Sequence, residues 1–146
     1  MSSTRPGNAG GAAVQYVASV RLQRLPGELA IAQLPPGEPI PRWAHGTALF
    51  VSISRTADEL SIVCPADWIP LGVQCSSGWV ALKVTGPIDL SSIGVLASLA
   101  DILRDARVSI FAVSTYDTDY LLVPQSDEGR SIQGLVDAGH DVVDGA

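Results

Sequence analysis

Two segments of one design, SRTADELSIV at 54–63 and STYDTDYLLV at 114–123, constrain this chain more than any other feature. Each is led in by an apolar run, Phe50-Val51-Ser52-Ile53 or Phe111-Ala112-Val113, and passes through hydroxyl and acidic residues. Each leaves through a Leu/Ile/Val run that ends at a proline, Pro65 or Pro124. Apolar, polar turn, apolar is the pattern of a tight hairpin. Two copies about sixty residues apart read as an internal repeat, approximate in register. They imply a duplicated sheet unit with a polar seam that can hold a small polar ligand.

The segments around the repeat fill in a second layer. VASVRLQ (17–23) alternates as a strand, Leu25-Pro26-Gly27 turns the chain, and ELAIAQL (28–34) makes another strand ended by Pro35-Pro36-Gly37. Two prolines and Trp43 between Pro39 and Ala44 leave room for at most one helical turn before a strand at 48–55. Asp58 and Glu59 bend the chain into a strand at 60–64, and 65–77 is irregular, with Trp68 and Pro70 covering a sheet end. Beyond it, Val80, Leu82 and Val84 share one strand face, and Gly86-Pro87 ends that strand.

A helix capped by Asp89, Ser91 or Ser92 follows, with Ile93, Leu96, Leu99, Ala100 and Leu103 forming an apolar stripe as far as about Ala106. VSIFAV (108–113) is apolar on both faces, as in a central strand. After the hairpin, a helix at 131–138 turns Ile132, Leu135 and Val136 inward, Gly139 stops it, and 140–143 makes a last strand. The order from residue 79 is β-α-β-β-α-β, so the expected class is α+β, a ferredoxin-like split βαβ sandwich. Its helices cover one sheet face only. The N-terminal unit, a second subunit or both must cover the other.

The length of 146 residues allows one core or two small fused ones. No apolar run approaches the roughly 18 residues of a membrane span. The first sixteen residues, rich in Gly, Ala and Ser, lack the apolar segment of a signal peptide and read as a flexible head of a cytoplasmic protein. Cys64 and Cys75, without other secretory signs, are expected to be reduced. A net charge of −6 with scattered basic residues argues against nucleic acid as a partner. A chain 47% hydrophobic and only 16% charged has apolar surface to bury between subunits, which favours a homodimer or larger homo-oligomer.

Ser92-Ile93-Gly94-Val95-Leu96-Ala97-Ser98-Leu99-Ala100, after a strand and opening a helix, is similar to the Gly-hydrophobic-Leu signature of ACT domains. Those are βαββαβ modules that bind amino acids and other small metabolites to regulate enzymes. The ordered set SRTADELSIVCP, GWVALKVTGPIDL, VSIFAV and STYDTDYLLV resembles the ACT-type family related to the CASTOR arginine sensors, across residues 25–145. The resemblance implies two tandem ACT-like units: residues 17–78, with degenerate helices, and an ACT domain at 79–146, behind a head at 1–16. It also implies an amino-acid pocket at a unit interface. Thr115-Tyr116-Asp117-Thr118-Asp119 matches the family's Thr-aromatic-x-Thr-Asp turn, which carries the ligand-holding acidic role onto Asp119 and, less firmly, contact roles onto Thr115, Tyr116 and Thr118. It does not carry over arginine as the ligand.

An amino acid presents an ammonium and a carboxylate. Free N–H groups at a helix start suit the carboxylate, which points to Ser91, Ser92 and Gly94; Asp119 would face the ammonium. Ser52 and Ser54, two hydroxyls on one strand face with Phe50, are a further candidate pair. The plainer reading stands beside this one. Asp and Thr are common in turns, Ser is a common helix cap, Gly94 can simply allow close packing, and the Ser52 face can simply be solvated.

Trp43, Trp68 and Trp79 can line a pocket but more often seal a core. His45 and His140 lack ligand spacing, so no metal is expected. The glycines at 7, 10 and 11 precede no strand-to-helix unit that could cradle phosphate, and no cofactor is expected. No nucleophile–base pair stands in a recognisable motif, so catalysis is not expected. The reading is a regulatory module for a free amino acid or similar metabolite, acting on a protein the sequence does not name. The alternative is an interaction module that oligomerises without a ligand.

Overall fold

Residues Cys75–Val84 carry no interior proline, and Val80, Leu82 and Val84 alternate with half-buried or smaller residues, so this segment forms the longest strand. The computed structural model describes residues 19–85 and 94–145. Over them run β1 (Arg21–Arg24), β2 (Leu29–Leu34), β3 (Ser52–Arg55), β4 (Leu60–Pro65), β5 (Cys75–Val84), α1 (Val95–Asp105), β6 (Phe111–Ser114), β7 (Asp119–Pro124), α2 (Glu128–Asp137) and β8 (Asp141–Asp144). The expected head at 1–16 and the expected helix caps Asp89, Ser91 and Ser92 lie outside the described residues.

All eight strands join one sheet. From β5 onward the chain has the β-α-β-β-α-β topology of an ACT-like fold. One edge of β5 pairs with β7, which pairs with β6. Its other edge is shared: Cys75, Ser76 and Trp79 pair with β2, and Leu82 to Val84 pair with β1. Beyond β2 lie β4 and then β3; beyond β1 lies β8, parallel to it.

The expected turn at Leu25-Pro26-Gly27 separates β1 from β2 as a bend without pairing them: both pair with β5 as one bent line, held through the bend by Leu25 N–H to the Ala81 carbonyl at 3.0 Å. Gly27, at φ +93°, supplies the backbone twist. β1 thus leaves the N-terminal half and stands between β5 and β8. The unit boundary expected at 78/79 falls inside β5.

The repeat keeps one constant offset. β3 matches β6 and β4 matches β7 residue for residue, and each copy passes through its proline into a 3-10 turn, Ala66–Trp68 or Gln125–Asp127. What differs is the layer above. The C-terminal half carries α1 and α2, whereas the N-terminal half, with Pro35, Pro36, Pro39 and Pro41 in its connection, forms only the 3-10 turn Arg42–Ala44.

Alternation sorts the apolar side chains into three clusters. Leu22, Val80, Leu82, Val84, Leu121 and Val123 pack beneath Leu99 and Leu103 of α1 and Leu135 of α2. Ala32, Leu60, Ile62 and Cys64 pack beneath Ala44, Trp43 and Trp68. The opposite sheet face joins the halves through Leu29, Val63, Ala81 and Leu122, capped by Phe50. Residues 46–51 form no strand and cross this face, and Phe50 meets Tyr120 with ring centroids 4.6 Å apart. Within the chain, then, the N-terminal half supplies the cover for the second face.

Two other readings change. The 108–113 run is not a central strand: β6 pairs only with β7 among the described residues, and Ala112 is exposed. The run is apolar on both sides because Val108 and Ile110 join the helix-side core while Phe111 and Val113 join the opposite cluster. In α2, Ser131 rather than Val136 turns inward with Leu135, its hydroxyl bonded to the Asp127 carbonyl at 2.7 Å, and Val136 is 46% exposed.

Cys64 and Cys75 are both free thiols. They pair with Ala30 and Ala32 on opposite edges of β2, two strand spacings of about 4.8 Å apart, beyond disulfide reach. Burial pushes the Cys64 thiol up to about 11.

His140 is buried where β1 meets β8, and its Nδ1 accepts the Val20 N–H at 3.1 Å, which places the ring proton on Nε2. Burial holds this imidazole below its ordinary pKa. The unfolded chain therefore takes up the proton first, so this stabilisation is complete above the unfolded value of about 6.5 and declines as pH falls through it. Tm should drop between about pH 7 and pH 5.5, and less so in His140→Asn, whose amide oxygen can still accept from Val20. Equal slopes in parent and variant would refute this.

Candidate functional site

The C-terminal hairpin turn is shaped by threonine. Thr115 N–H donates to the Thr118 carbonyl at 2.7 Å, Thr115 Oγ1 donates to the same carbonyl at 3.0 Å, and Thr118 N–H returns to Thr115 Oγ1 at 3.3 Å. Thr118 is buried, and its hydroxyl donates to the carbonyl of Val84, the last residue of β5. That bond fixes the turn beside the point where the chain leaves β5 towards α1. Asp119, half-buried, pairs across the hairpin with Ser114, whose hydroxyl donates to Oδ1 at 2.6 Å. The short charge-assisted bond sets the carboxylate's orientation. Tyr116, 84% exposed, stands at the tip.

Gly94 precedes α1 at φ +85°, a conformation that favours glycine, and its carbonyl accepts the Ser98 N–H at 2.8 Å. The structure thus sets Thr115, Tyr116, Thr118 and Asp119 on one turn and ties that turn to the strand that leads to Gly94. Ser91 and Ser92 belong to the connection between them, outside the described residues. Ser52 and Ser54 are elsewhere, on the edge strand of the N-terminal half opposite Val63 and Ser61, with Ser54 exposed.

Sequence reasoning did not single out Ser114, although hairpin register alone places it opposite Asp119. It also missed the recesses beside the crossing segment. One, about 340 Å³, lies between Gly46–Val51 and Thr115 and Tyr120. The other, about 200 Å³ and mostly apolar, lies between Leu25–Leu29, Ala48–Phe50, Pro65 and Ala81. Both depend on a loop crossing the sheet, which leaves no local signal.

Trp43 and Trp68 seal the N-terminal core, and the Trp79 indole donates to Ser76 Oγ at 3.0 Å. Among the described residues no group of three or more His, Cys, Asp or Glu is placed to hold a metal, and no helix is long and apolar enough to cross a membrane.

A family model described as ACT domain matches residues 64–137, and an N-terminal domain model of another family matches residues 27–72. The chain belongs to the ACT domain family. Its fold is similar to that of a solved protein from Agobacterium tumefaciens at 40% identity and TM-score 0.84, covering 89% of this chain and 96% of that one. A Vibrio cholerae protein of unknown function, described as a possible transport protein, superposes at TM-score 0.68 with 16% identity, covering 82% and 89% of the two chains. The regulatory subunit of aspartate kinase from Thermus thermophilus shares the fold at TM-score 0.56 and 11% identity, covering 81% and 94%. No curated protein matches significantly.

Proposed function

We propose that this chain is a non-catalytic regulatory module that binds a free amino acid or a similar small metabolite at the hairpin end of its C-terminal ACT fold. The observation that carries the reading is the Thr118 bond to Val84, which holds the Asp119 turn at the end of β5, the strand that precedes α1 in the chain. In this reading two groups of residues far apart in sequence serve one ligand. One offers a carboxylate for an ammonium; the other offers backbone N–H groups at the start of α1 for a carboxylate. The resemblance to CASTOR-related sensors supports an amino-acid ligand, and the fold shared with an aspartate kinase regulatory subunit is consistent with a module that acts on another protein. A cytoplasmic homodimer is the form in which we expect it to work.

A second reading has its own support. β6 presents an edge unpaired among the described residues, and the run Val108–Ser114 carries no charge or proline to blunt it. An interaction module would pair such edges without a ligand. The separating experiment is a thermal-shift screen against the twenty amino acids at millimolar concentration, with oligomer size recorded in parallel. A ligand at 100 times its Kd stabilises by about 2.7 kcal/mol, which for a chain of this size raises Tm by roughly 5 to 10 °C. A flat panel with concentration-dependent association would favour the second reading.

A further inference from the structure

We infer that the duplication leaves one ligand-competent end per chain, so that a single amino acid binds each chain and the N-terminal end serves packing alone. This rests on the reading above and specifies it. β2 and the later part of β5 play the same part in the two halves: Leu29 pairs with Pro65 as Trp79 pairs with Pro124. These two strands run antiparallel, so the two hairpin turns lie towards opposite ends of β5, and one site cannot draw on both.

The constant offset allows the two ends to be compared position by position. Thr115 has its counterpart in Thr56, which builds the same turn by accepting the Asp58 and Glu59 N–H groups, both at 3.1 Å. The turn scaffold is therefore preserved. The ligand groups are not. Asp119 is matched by Leu60, fully buried beneath Trp43 and Trp68. Ser114, which orients the Asp119 carboxylate, is matched by Arg55, whose guanidinium donates to the Pro36 carbonyl. Thr118 is matched by Glu59, half-buried.

The second requirement is missing too. Where α1 would begin, the N-terminal half has the three-residue 3-10 turn Arg42–Ala44 entered through Pro41, which has no N–H to offer. Among the described residues of this end, neither a helix start for a carboxylate nor an acid oriented as Asp119 is by Ser114 remains. Replacing Asp by Leu at one position does two things at once: it removes the charge and completes the N-terminal core.

The test is equilibrium dialysis of the full chain with the radiolabelled L-amino acid giving the largest shift in the twenty-member panel. The expected result is one equivalent per chain. Asp119→Asn should weaken binding by at least about 30-fold, the loss that follows when a hydrogen-bonded charge pair loses one partner. Glu59→Gln should leave both affinity and stoichiometry unchanged. Thermal unfolding of each variant without amino acid checks that it is folded. Two equivalents per chain, or binding that survives Asp119→Asn and fails in Glu59→Gln, would overturn this inference while leaving the amino-acid reading intact. No binding of any amino acid would overturn both.

Discussion

Asp119→Ala should remove most or all of the thermal shift produced by the best amino acid while leaving the unliganded protein folded. The carboxylate is the charged group that the hairpin orients, through the 2.6 Å bond from Ser114. Truncating one member of a hydrogen-bonded charge pair costs about 2–5 kcal/mol. At the low end of that range a ligand at 100 times the parent Kd still contributes about 0.9 of its roughly 2.7 kcal/mol, and at the high end nothing, so the shift should shrink from several degrees to about 2–3 °C or none. The cost to the unliganded fold is smaller, about 1 kcal/mol, because only a half-exposed hydroxyl bond is lost. Ser114→Ala provides the graded comparison: the charge stays, its orientation is freed, and affinity should fall less. A titration of Asp119→Ala that overlays the parent's would show that the ligand contacts lie elsewhere.

A fragment beginning at residue 74, which holds the complete β-α-β-β-α-β series, should fail to fold on its own. β1 fills the sheet between β5 and β8 with Leu22 fully buried against Leu82, Val84 and Leu99. Its backbone bonds run both ways, from Thr85 N–H to the Arg21 carbonyl at 2.8 Å and from Asp141 N–H to the Val20 carbonyl at 3.1 Å. Arg24 adds an ion pair to Glu128 at the start of α2. Without β1 a gap of two strand spacings, about 9–10 Å, opens through the centre of the core. Deleting Leu22 alone to alanine should cost about 2–5 kcal/mol. The fragment should therefore show no cooperative thermal transition, and a peptide covering residues 19–34 should restore one. A sharp transition in the fragment alone would show that β8 can close directly onto β5.

The hairpins were the most legible elements. Their threonines, acids and bounding prolines act within a few residues of one another, so turn chemistry alone locates them. Helix α1 was legible from the spacing of Leu96, Leu99 and Leu103, two of which are fully buried. The weak helix-forming capacity of the N-terminal half followed from its prolines. α2 was placed with its inward face rotated, because Ser131 can be buried once its hydroxyl returns to the Asp127 carbonyl, and periodicity counts only apolar residues. β6 looked central because its apolar residues feed cores on both sides, which alternation alone does not distinguish from a strand with neighbours on both edges.

The candidate site divides in the same way. Thr115, Thr118 and Asp119 belong to one local turn and were readable as such; that Thr118 would spend its hydroxyl on Val84 was not, because the two are joined only when β7 pairs with β5. What the sequence alone determined is the βαββαβ series, its duplication and the chemistry of its turns, since propensity, capping and hairpin geometry are short-range and act on residues already adjacent. Long-range packing settled the rest: β1 leaves its own half to complete the other, Phe50 and residues 46–51 cover the second sheet face, and Thr118 ties its turn to the end of β5 while the position matching Asp119 is buried in a core. Those outcomes depend on which edges and faces remain to be satisfied once every strand has competed for them, and that competition is not written in any local stretch of the chain.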